Sequence, residues 1–319
     1  TTSVVTKNQD GNVISESVVA TRPQPLIGAV NGFQGRVEVA FEEASWSAWL
    51  YSLLQRHVDR VAVHAAEDHD HKTDHLDAAR LAKLLSLGDI NEVYHGPEVD
   101  TQLKVLVKGY HRVADDLAAE KNRLKSEFTR QQIDCQGTAV FQAANQDEWL
   151  GKLEGQGTRM RARQTCERIR QLEDQKDEMK TTMKQAARQR DGWACVSTLP
   201  GFGVVRTSTV LGIVGVPFRF PTKQHLWSYS GLGIDLDESS QYKRDGQGGF
   251  TKKDTTRTRG LNDDGHPRLK EAFKGAAKTA INHDDRVRQD YRARCQRKDD
   301  ELAELDIARK LAAQCWTIW

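Results

Sequence analysis

Two aspartates, Asp74 and Asp77, stand three residues apart in KTDHLDAARLAKLL, just ahead of an apolar helical stripe. That spacing puts both carboxylates on one face of a helix, near its start. Glu42 and Glu43 end an alternating segment that predicts a strand, and α/β folds carry their sites at the carboxyl ends of strands. Acids from a strand end and a helix can hold hard cations such as Mg²⁺, and two such ions about 4 Å apart cleave phosphodiesters. Each acid singly also fits a helix cap, a helix-dipole partner or a solvated side chain.

A pair of serines is the second candidate for chemistry. Ser239 and Ser240 follow a glycine-rich turn and precede Lys243 and Arg244 in YSGLGIDLDESSQYKRDG. A serine hydroxyl near fixed cations can attack a phosphate, because the cations stabilise the negative charge of the transition state. A polar loop without chemistry is the alternative.

The segment LPGFG is the third candidate, with Pro200, Gly201 and Gly203 ahead of a helix of small residues. This pattern is typical of a helix-hairpin-helix, in which a tight glycine turn lets backbone N–H groups and a helix N-terminus face a phosphate. Such a contact positions DNA without reading its bases. An ordinary glycine-rich connection between helices is the alternative.

Histidines in EDHDHKTDH raise the possibility of zinc, since His69, His71 and His75 lie among acids. The His-x-His spacing is loose and no cysteine joins it, so a solvated loop is favoured over a structural zinc site.

The elements that must position the acids form an α/β pattern over residues 1–98. An Asp-Gly turn between two alternating segments predicts a β-hairpin over residues 1–22. Residues 36–42 and 59–65 predict two more strands, separated by the amphipathic helix ASWSAWLYSLLQRHV. A strand–helix–strand unit of this length predicts parallel pairing, so we expect one mixed sheet.

The character of the chain changes after residue 98. Residues 99–190 hold two long charged helices with a Gly- and Gln-rich break between them, which predicts an antiparallel coiled-coil hairpin. A plain helical spacer is the alternative. Residues 191–319 predict a mainly helical domain that contains LPGFG and the serines.

Composition limits the class of protein. The 319 residues are 38% hydrophobic and 29% charged, and the net charge of +2 confines any basic surface to local stretches such as residues 243–259. Five cysteines without a CxxC pair favour a reduced, cytoplasmic chain. No apolar run reaches membrane-spanning length and no signal peptide opens the chain. The first residue is Thr and lies in a predicted strand, so we expect native sequence to be missing there.

Taken together and in order, the motifs resemble the DEDD transposases of the insertion-sequence-110 family, also written with 116 and 902. The resemblance covers nearly the whole chain, and its most specific parts are KTDHLDAARLA and the block from LPGFG to SGLG. The other segments that carry it are FEEASWSAWLYSLL, NRLKSEF, LWSYSGLG, TRGLN and RLKEAFKGAA.

The resemblance implies a RuvC-like (RNase H-like) N-terminal domain, a coiled-coil middle and a C-terminal transposase domain with a catalytic serine. It implies DNA recombination that moves the element, with a bridge RNA choosing target and donor DNA. Glu42 then matches the family's glutamate, Glu43 its neighbour, and Asp74 and Asp77 the paired aspartates that hold Mg²⁺ or Mn²⁺. Ser239, with Ser240 as the alternative, matches the serine that attacks DNA.

The resemblance further implies a bacterial cytoplasmic protein that acts at the nucleoid as a homodimer or homotetramer, without a membrane. The acids and the serine are far apart in sequence, so they must meet by folding or across subunits.

Two departures from the family pattern matter. The family's first aspartate, in a G-x-D-x-x-K strand, would lie just upstream of Thr1, and Asp10 cannot replace it because QDGN is a turn. The stretch between Val63 and Lys72 is shorter than usual. A structure-specific junction nuclease and an inactive nucleic-acid-binding remnant therefore stay open as alternative functions.

Overall fold

The computed structural model describes residues 1–66, 74–96, 98–236, 242–244, 250–252 and 258–319. The chain divides into two compact units, Thr1–Thr101 and Gln102–Trp319. The finer division into residues 1–98, 99–190 and 191–319 stays a prediction.

The first unit opens with the β-hairpin that the Asp-Gly turn predicts. Strands β1 (Thr2–Lys7) and β2 (Val13–Val19) pair antiparallel. Gly11 has a φ of 81°, the left-handed conformation that such a turn requires and that glycine adopts without strain. The helix α1 (Pro23–Asn31) follows, and it was not anticipated from the sequence.

A strand–helix–strand unit completes this part of the fold. Strand β3 (Glu38–Glu42) leads through helix α2 (Ser47–Leu54) to strand β4 (Arg60–His64), which lies parallel to β3. The predicted parallel pairing is confirmed. Helix α3 (Asp74–Leu87) begins at the first of the paired aspartates. The small core is formed by Leu26, Phe41, Leu50, Leu54, Val61 and Val63.

The sheet differs from the single mixed sheet expected from the sequence. In the part of the chain that the structure describes, β1–β2 and β3–β4 form two separate two-stranded sheets. Helix α3 contacts both β1 and β3. No described strand pairs with both β1 and β3. The two sheets are therefore connected through their contacts with α3 and not through hydrogen bonds between strands.

Two long helices dominate the start of the second unit. Helix α4 (Glu98–Thr129) and helix α6 (Gln156–Arg188) pack antiparallel, with a cluster of apolar side chains between them. The ion pairs Lys121–Glu173 at 2.6 Å and Arg161–Glu127 at 2.5 Å join them. The predicted helical hairpin is therefore present, while a supercoiled heptad packing stays a prediction.

Shorter elements complete the second unit. Helix α5 (Gln146–Lys152) lies between the long helices, and α7 (Trp193–Val196), α8 (Val204–Val214) and α9 (Lys223–Tyr229) follow them. Strand β5 (Ile234–Leu236) pairs antiparallel with β8 (Thr258–Leu261), and β6 (Tyr242–Arg244) pairs antiparallel with β7 (Phe250–Lys252). Helices α10 (Pro267–His283), α11 (Asp285–Cys295) and α12 (Asp300–Ile318) end the chain.

The core of the second unit is helical, as the sequence predicts. Helix α8 contacts α6 and α10, and α10 contacts α12. Leu211, Phe273 and Leu311 from these helices are almost completely buried in one apolar cluster. The C-terminal helices are thus an integral part of the core, because their apolar faces have no other place to be buried.

All five cysteines are free, in agreement with the predicted reduced chain. Burial raises the pKa of the Cys315 thiol to about 12, so this cysteine is a core side chain and not a nucleophile at neutral pH. Within the described ranges, no helix combines the length and the apolar character that crossing a bilayer demands.

We expect the second unit to lose stability as the pH falls from 7.5 to 5.5. Burial lowers the pKa of both His111 and His266. The positive charge of Arg268 lowers the pKa of His111 further, and that of Lys104 lowers the pKa of His266 further. A histidine with a depressed folded-state pKa stabilises the fold above its unfolded value of 6.5 and loses that contribution as the pH drops below it. Thermal melts across this range should show a falling melting temperature for the native chain.

The double variant His111→Gln/His266→Gln serves as the comparison for that titration. Its melting temperature should change less between pH 7.5 and 5.5 than that of the native chain. If the melting temperature falls equally with pH in both proteins, these histidines do not cause the loss of stability.

Candidate carboxylate cavity and phosphate-contacting loops

A cavity of about 640 Å³, partly open to solvent, lies in the first unit. Its walls come from β1, β3 and the three helices α1, α2 and α3. Apolar side chains line most of it, including Leu26, Phe33, Phe41, Leu50, Leu81 and Leu85. We call this space the acidic cavity, because four acidic residues line it: Glu38, Glu42, Asp74 and Asp77.

Glu42, Asp74 and Asp77 all line the acidic cavity. Glu42 is the last residue of β3, and the aspartates lie in the first turn of α3. The strand places its glutamate at its carboxyl end, and the helical spacing turns both aspartates to one face, as the sequence predicts. The three acids that are remote in sequence therefore share one cavity.

Glu43 is placed differently from its neighbour. Side chains alternate along an extended segment, and the Glu43 carboxylate pairs with His95 Nε2 at 2.7 Å, outside the cavity lining. The His95 ring stacks on Tyr51, and the Glu43 N–H donates to the His64 carbonyl at 2.8 Å. The contact with His95 therefore gives Glu43 a structural role.

Glu42, Asp74 and Asp77 do not form a metal site by themselves. Across the described residues, no three His, Cys, Asp or Glu side chains are close enough together to hold a metal ion. Of the zinc candidates, His75 pairs with Glu16 at 3.1 Å, and His69 and His71 lie outside the described residues. A carboxylate metal site here needs at least one more oxygen ligand.

The LPGFG turn packs tightly at one of its glycines. Gly201 has a φ of 79°, and a Cβ built on it would lie 2.1 Å from the carbonyl oxygen of Ala276 in α10. Arg206 Nη1 donates to the Gly201 carbonyl at 2.8 Å and to Thr279 Oγ1 at 3.0 Å, which ties the turn to α10. The first glycine is thus explained by helix packing alone. Arg206 is a residue that sequence reasoning missed, since nothing marked its partner in α10.

Gly203 is the glycine left open to solvent. It is the N-cap of α8, with a φ of −84°, and no atom lies within 4 Å of a Cβ built on it. The first N–H groups of the 11-residue helix α8 have no acceptor within the helix, and Gly203 beside them is exposed. Pro200 and Gly201 shape the turn, and Gly203 is where a phosphate could approach.

We expect Gly201→Ala to destabilise the chain by about 2–4 kcal/mol, because the new Cβ meets a backbone oxygen and the residue is held in a left-handed conformation. Gly203→Ala should cost no more than about 1 kcal/mol, since it has space and an ordinary φ. Urea unfolding of both variants measures this difference. Equal losses would contradict the packing account of the turn.

The catalytic serine candidates fall outside the described residues, as Ser239 and Ser240 lie in residues 237–241. The structure does show the segment's base, where β5 pairs with β8. Gly231, with a φ of 66°, meets Gly265 so closely that a Cβ on Gly265 would lie 2.1 Å from the Gly231 nitrogen. Asn262 Nδ2 also donates to Ser228 Oγ at 3.3 Å. The SGLG turn is therefore packed closely against residues 262–265.

Lys243 and Arg244 lie in β6, which pairs with β7, and only their backbone is described. Their predicted role in DNA binding stays a prediction.

Two family models match the chain. The IS110 DEDD transposase model matches residues 3–130, which include Glu42, Asp74 and Asp77. The model described as Transposase IS116/IS110/IS902 family matches residues 194–292, which include LPGFG, both serines and β6. No curated protein sequence matches the chain.

Proposed function

Because the chain belongs to the IS116/IS110/IS902 family of transposases, which cut and recombine DNA, we propose that it is the site-specific recombinase of an insertion sequence. The observation that carries this proposal is that Glu42, Asp74 and Asp77 line one cavity of the DEDD-matched unit. The family implies a RuvC-like fold for this unit, and the parallel β3–α2–β4 arrangement agrees with it.

The DEDD family also implies dependence on a divalent metal ion. We propose that Glu42, Asp74 and Asp77 supply part of the ligand set for Mg²⁺ or Mn²⁺, since both ions prefer carboxylate oxygens. The acids present do not complete that set, so a further oxygen donor is required. Glu43 is a weaker candidate because its carboxylate is held by His95.

The covalent step is proposed for Ser239, with Ser240 as the alternative. The serine Oγ attacks a DNA phosphorus, its proton leaves to a base, and an Oγ–P bond forms as one P–O bond to the sugar breaks. The released sugar oxygen takes up a proton. Because one phosphodiester replaces another, the reverse attack by a DNA hydroxyl reseals the strand without an energy source. Lys243 and Arg244 would stabilise the charge on the phosphate.

DNA positioning is proposed for the LPGFG turn. The exposed N-terminus of α8 at Gly203 offers backbone N–H groups and the positive end of a helix dipole to one phosphate. Gly201 lies against Ala276 of α10 and fixes this turn there. Such a contact suits DNA of any sequence, so the choice of target must come from elsewhere.

We propose that a bridge RNA makes that choice and that the active form is a homodimer or homotetramer acting on the element ends and the target.

A transposition assay tests the proposed function. The chain is expressed with a marked element that carries the DNA flanking its coding sequence, and insertion into a target plasmid is counted. Insertions at one preferred sequence, lost when the flanking DNA is scrambled, are expected. Cutting of four-way junctions without insertion would indicate the nuclease alternative. DNA binding without strand cleavage at any Mg²⁺ or Mn²⁺ concentration would indicate an inactive remnant. The dependence of its binding constant on salt concentration would then give the number of phosphates it contacts.

A further inference from the structure

The end of the helical hairpin that carries α5 has an apolar core of its own. Leu124 and Phe128 of α4 and Ile169 of α6 are almost completely buried in it. None of the buried residues in this cluster comes from residues 191–319, whereas the other end of the two long helices packs into the core formed by α8, α10 and α12. We call residues 117–172 the hairpin end. Packing against the C-terminal helices therefore does not account for the charged side chains on its surface.

A first group of cations at the hairpin end is paired with glutamates. Glu120 pairs with Arg123 at 2.5 Å, and Glu127 pairs with Arg130 at 3.2 Å and with Arg161 at 2.5 Å. Glu120 and Glu127 are seven residues apart on α4, so these pairs follow one face of that helix. Such surface pairs contribute little stability, but they offset most of the positive charge of this face.

A second group of cations has no carboxylate partner. The structure describes the hairpin end completely, and Lys125, Arg163 and Arg170 form no ion pair in it. Arg163 and Arg170 are exposed and two helical turns apart, about 10 Å along α6 at 1.5 Å per residue. Glu167 lies between them in sequence and pairs with neither. Because like charges on one surface repel one another, this group of side chains favours the approach of an anion.

A phenylalanine ring lies beside these cations. The Nζ atoms of Lys121 and Lys125 are 5.2 Å and 5.4 Å from the centre of the Phe141 ring, within the range of cation–π attraction. Lys121 is also paired with Glu173, whereas Lys125 has the ring and no carboxylate. The two ammonium groups are therefore held close to each other, and a phosphate between them would relieve their repulsion.

The same ring lines a small crease that also contains amide groups and one of the unpaired cations. The other polar side chains in this crease are those of Gln142, Gln146 and Arg170. Unpaired cations, an aromatic ring and two amides are thus neighbours on one surface. We call this surface the Phe141 face, and it consists of Lys125, Phe141, Gln142, Gln146, Arg163 and Arg170.

We propose that the Phe141 face binds a single-stranded segment of nucleic acid. Three unpaired cations that extend over about 10 Å can contact more than one phosphate of a strand. The ring and the guanidinium planes offer surfaces to unstacked bases, and the amides of Gln142 and Gln146 can donate to and accept from base edges. A duplex hides the faces and the pairing edges of its bases, so the crease suits an unpaired strand. This inference goes beyond the proposed recombinase function, which assigns no contact to the hairpin end.

The test measures binding of the full chain to labelled nucleic acids in EDTA, which prevents metal-dependent cleavage. The probes are an unstructured RNA strand of about 20 nucleotides, the DNA strand of the same sequence and the corresponding DNA duplex. The triple variant Lys125→Gln/Arg163→Gln/Arg170→Gln should bind the single strands at least about ten-fold more weakly than the native chain. The slope of log K against log salt concentration should be flatter by about 2, since each lost phosphate contact removes about 0.7 for a single strand.

The matched control is the triple variant Arg123→Gln/Arg130→Gln/Lys152→Gln. It removes three cations from the same end of the hairpin, and each of them is paired with a glutamate. The two triple variants have the same net charge, so they differ only in which cations are lost. The control should bind each single strand within about two-fold of the native affinity.

Equal losses in the two triple variants would show a general charge effect and overturn the proposal, as would native affinity in the first of them. A loss as large for the duplex as for the single strands would overturn the assignment of an unpaired strand. A loss with both single strands supports contacts to phosphates and bases, and a loss with RNA alone supports the site and adds a contact to the 2′-hydroxyl.

Thermal melts establish whether each variant is folded. If the first triple variant does not fold, the double variant Arg163→Gln/Arg170→Gln changes only exposed side chains and is compared with Arg123→Gln/Arg130→Gln. The same ten-fold difference in single-strand binding supports the site, and its absence overturns it. No strand is cut in these measurements, so their result is independent of the transposition assay.

Discussion

Replacing Ser239 with Ala is expected to lower the insertion frequency at least about a thousand-fold, the scale of loss seen when a covalent nucleophile is removed. Without Oγ no bond to phosphorus can form, and the carboxylates of the first unit cannot substitute for it. Insertions into a target plasmid are counted for native and variant chains expressed at the same level. The substitution removes a single hydroxyl, so thermal melts of both proteins should agree.

Ser240→Ala is the matched control, one residue away in the same segment. It should retain insertion within about ten-fold, because a neighbouring hydroxyl affects the approach of DNA but not the bond that forms. If Ser240→Ala abolishes insertion and Ser239→Ala does not, Ser240 is the nucleophile. If both variants keep cleaving DNA, the serine mechanism is wrong and the metal-only nuclease is favoured.

Asp77→Asn should reduce DNA cleavage by about a hundred- to a thousand-fold, the effect of removing one preorganised charge from a site that stabilises a phosphate transition state. Asp77 lines the acidic cavity together with Asp74 and Glu42, and the asparagine keeps its shape while losing its charge. Cleavage of a labelled duplex carrying the element end, followed over time in Mn²⁺ and in Mg²⁺, measures the loss.

Asp89→Asn is the control for charge, since this exposed aspartate follows the other end of α3. Its cleavage rate should stay within about two-fold of the native rate. Glu42→Gln and Glu43→Gln give a second comparison, because Glu42 lines the cavity whereas Glu43 pairs with His95. The Glu42 variant should therefore lose far more of its DNA cleavage rate than the Glu43 variant. Equal losses at Asp77 and Asp89 would indicate a general charge effect and contradict a cavity site.

The sequence predicts well those elements that depend on residues close together in the chain. The Asp-Gly turn fixes the β1–β2 hairpin, and the length of the strand–helix–strand unit fixes the parallel pairing of β3 with β4. Helix α1 escapes such prediction because two of its first three residues are prolines, which resemble a break although proline is favoured in a first turn.

What could not be predicted depends on contacts between residues far apart in the chain. The LPGFG pattern suggested two glycines with one purpose, yet Gly201 faces the carbonyl of Ala276 and Gly203 is open. The separation of the two sheets likewise depends on which strands pair with each other. The alternation of side chains within one strand does not determine that pairing. For the acids, the sequence pointed to Glu42, Asp74 and Asp77, which line one cavity, and the structure separates Glu42 from Glu43 through the contact with His95.

The proposed reaction on DNA requires both the Ser239 hydroxyl and the carboxylates of Glu42, Asp74 and Asp77. The most direct measurement is mass spectrometry of the protein–DNA adduct that accumulates on a nicked substrate unable to reseal. We predict a nucleotide linked to Ser239 in the native chain and almost none in Asp77→Asn. An adduct at another residue, or equal amounts of the Ser239 adduct in both proteins, would contradict it.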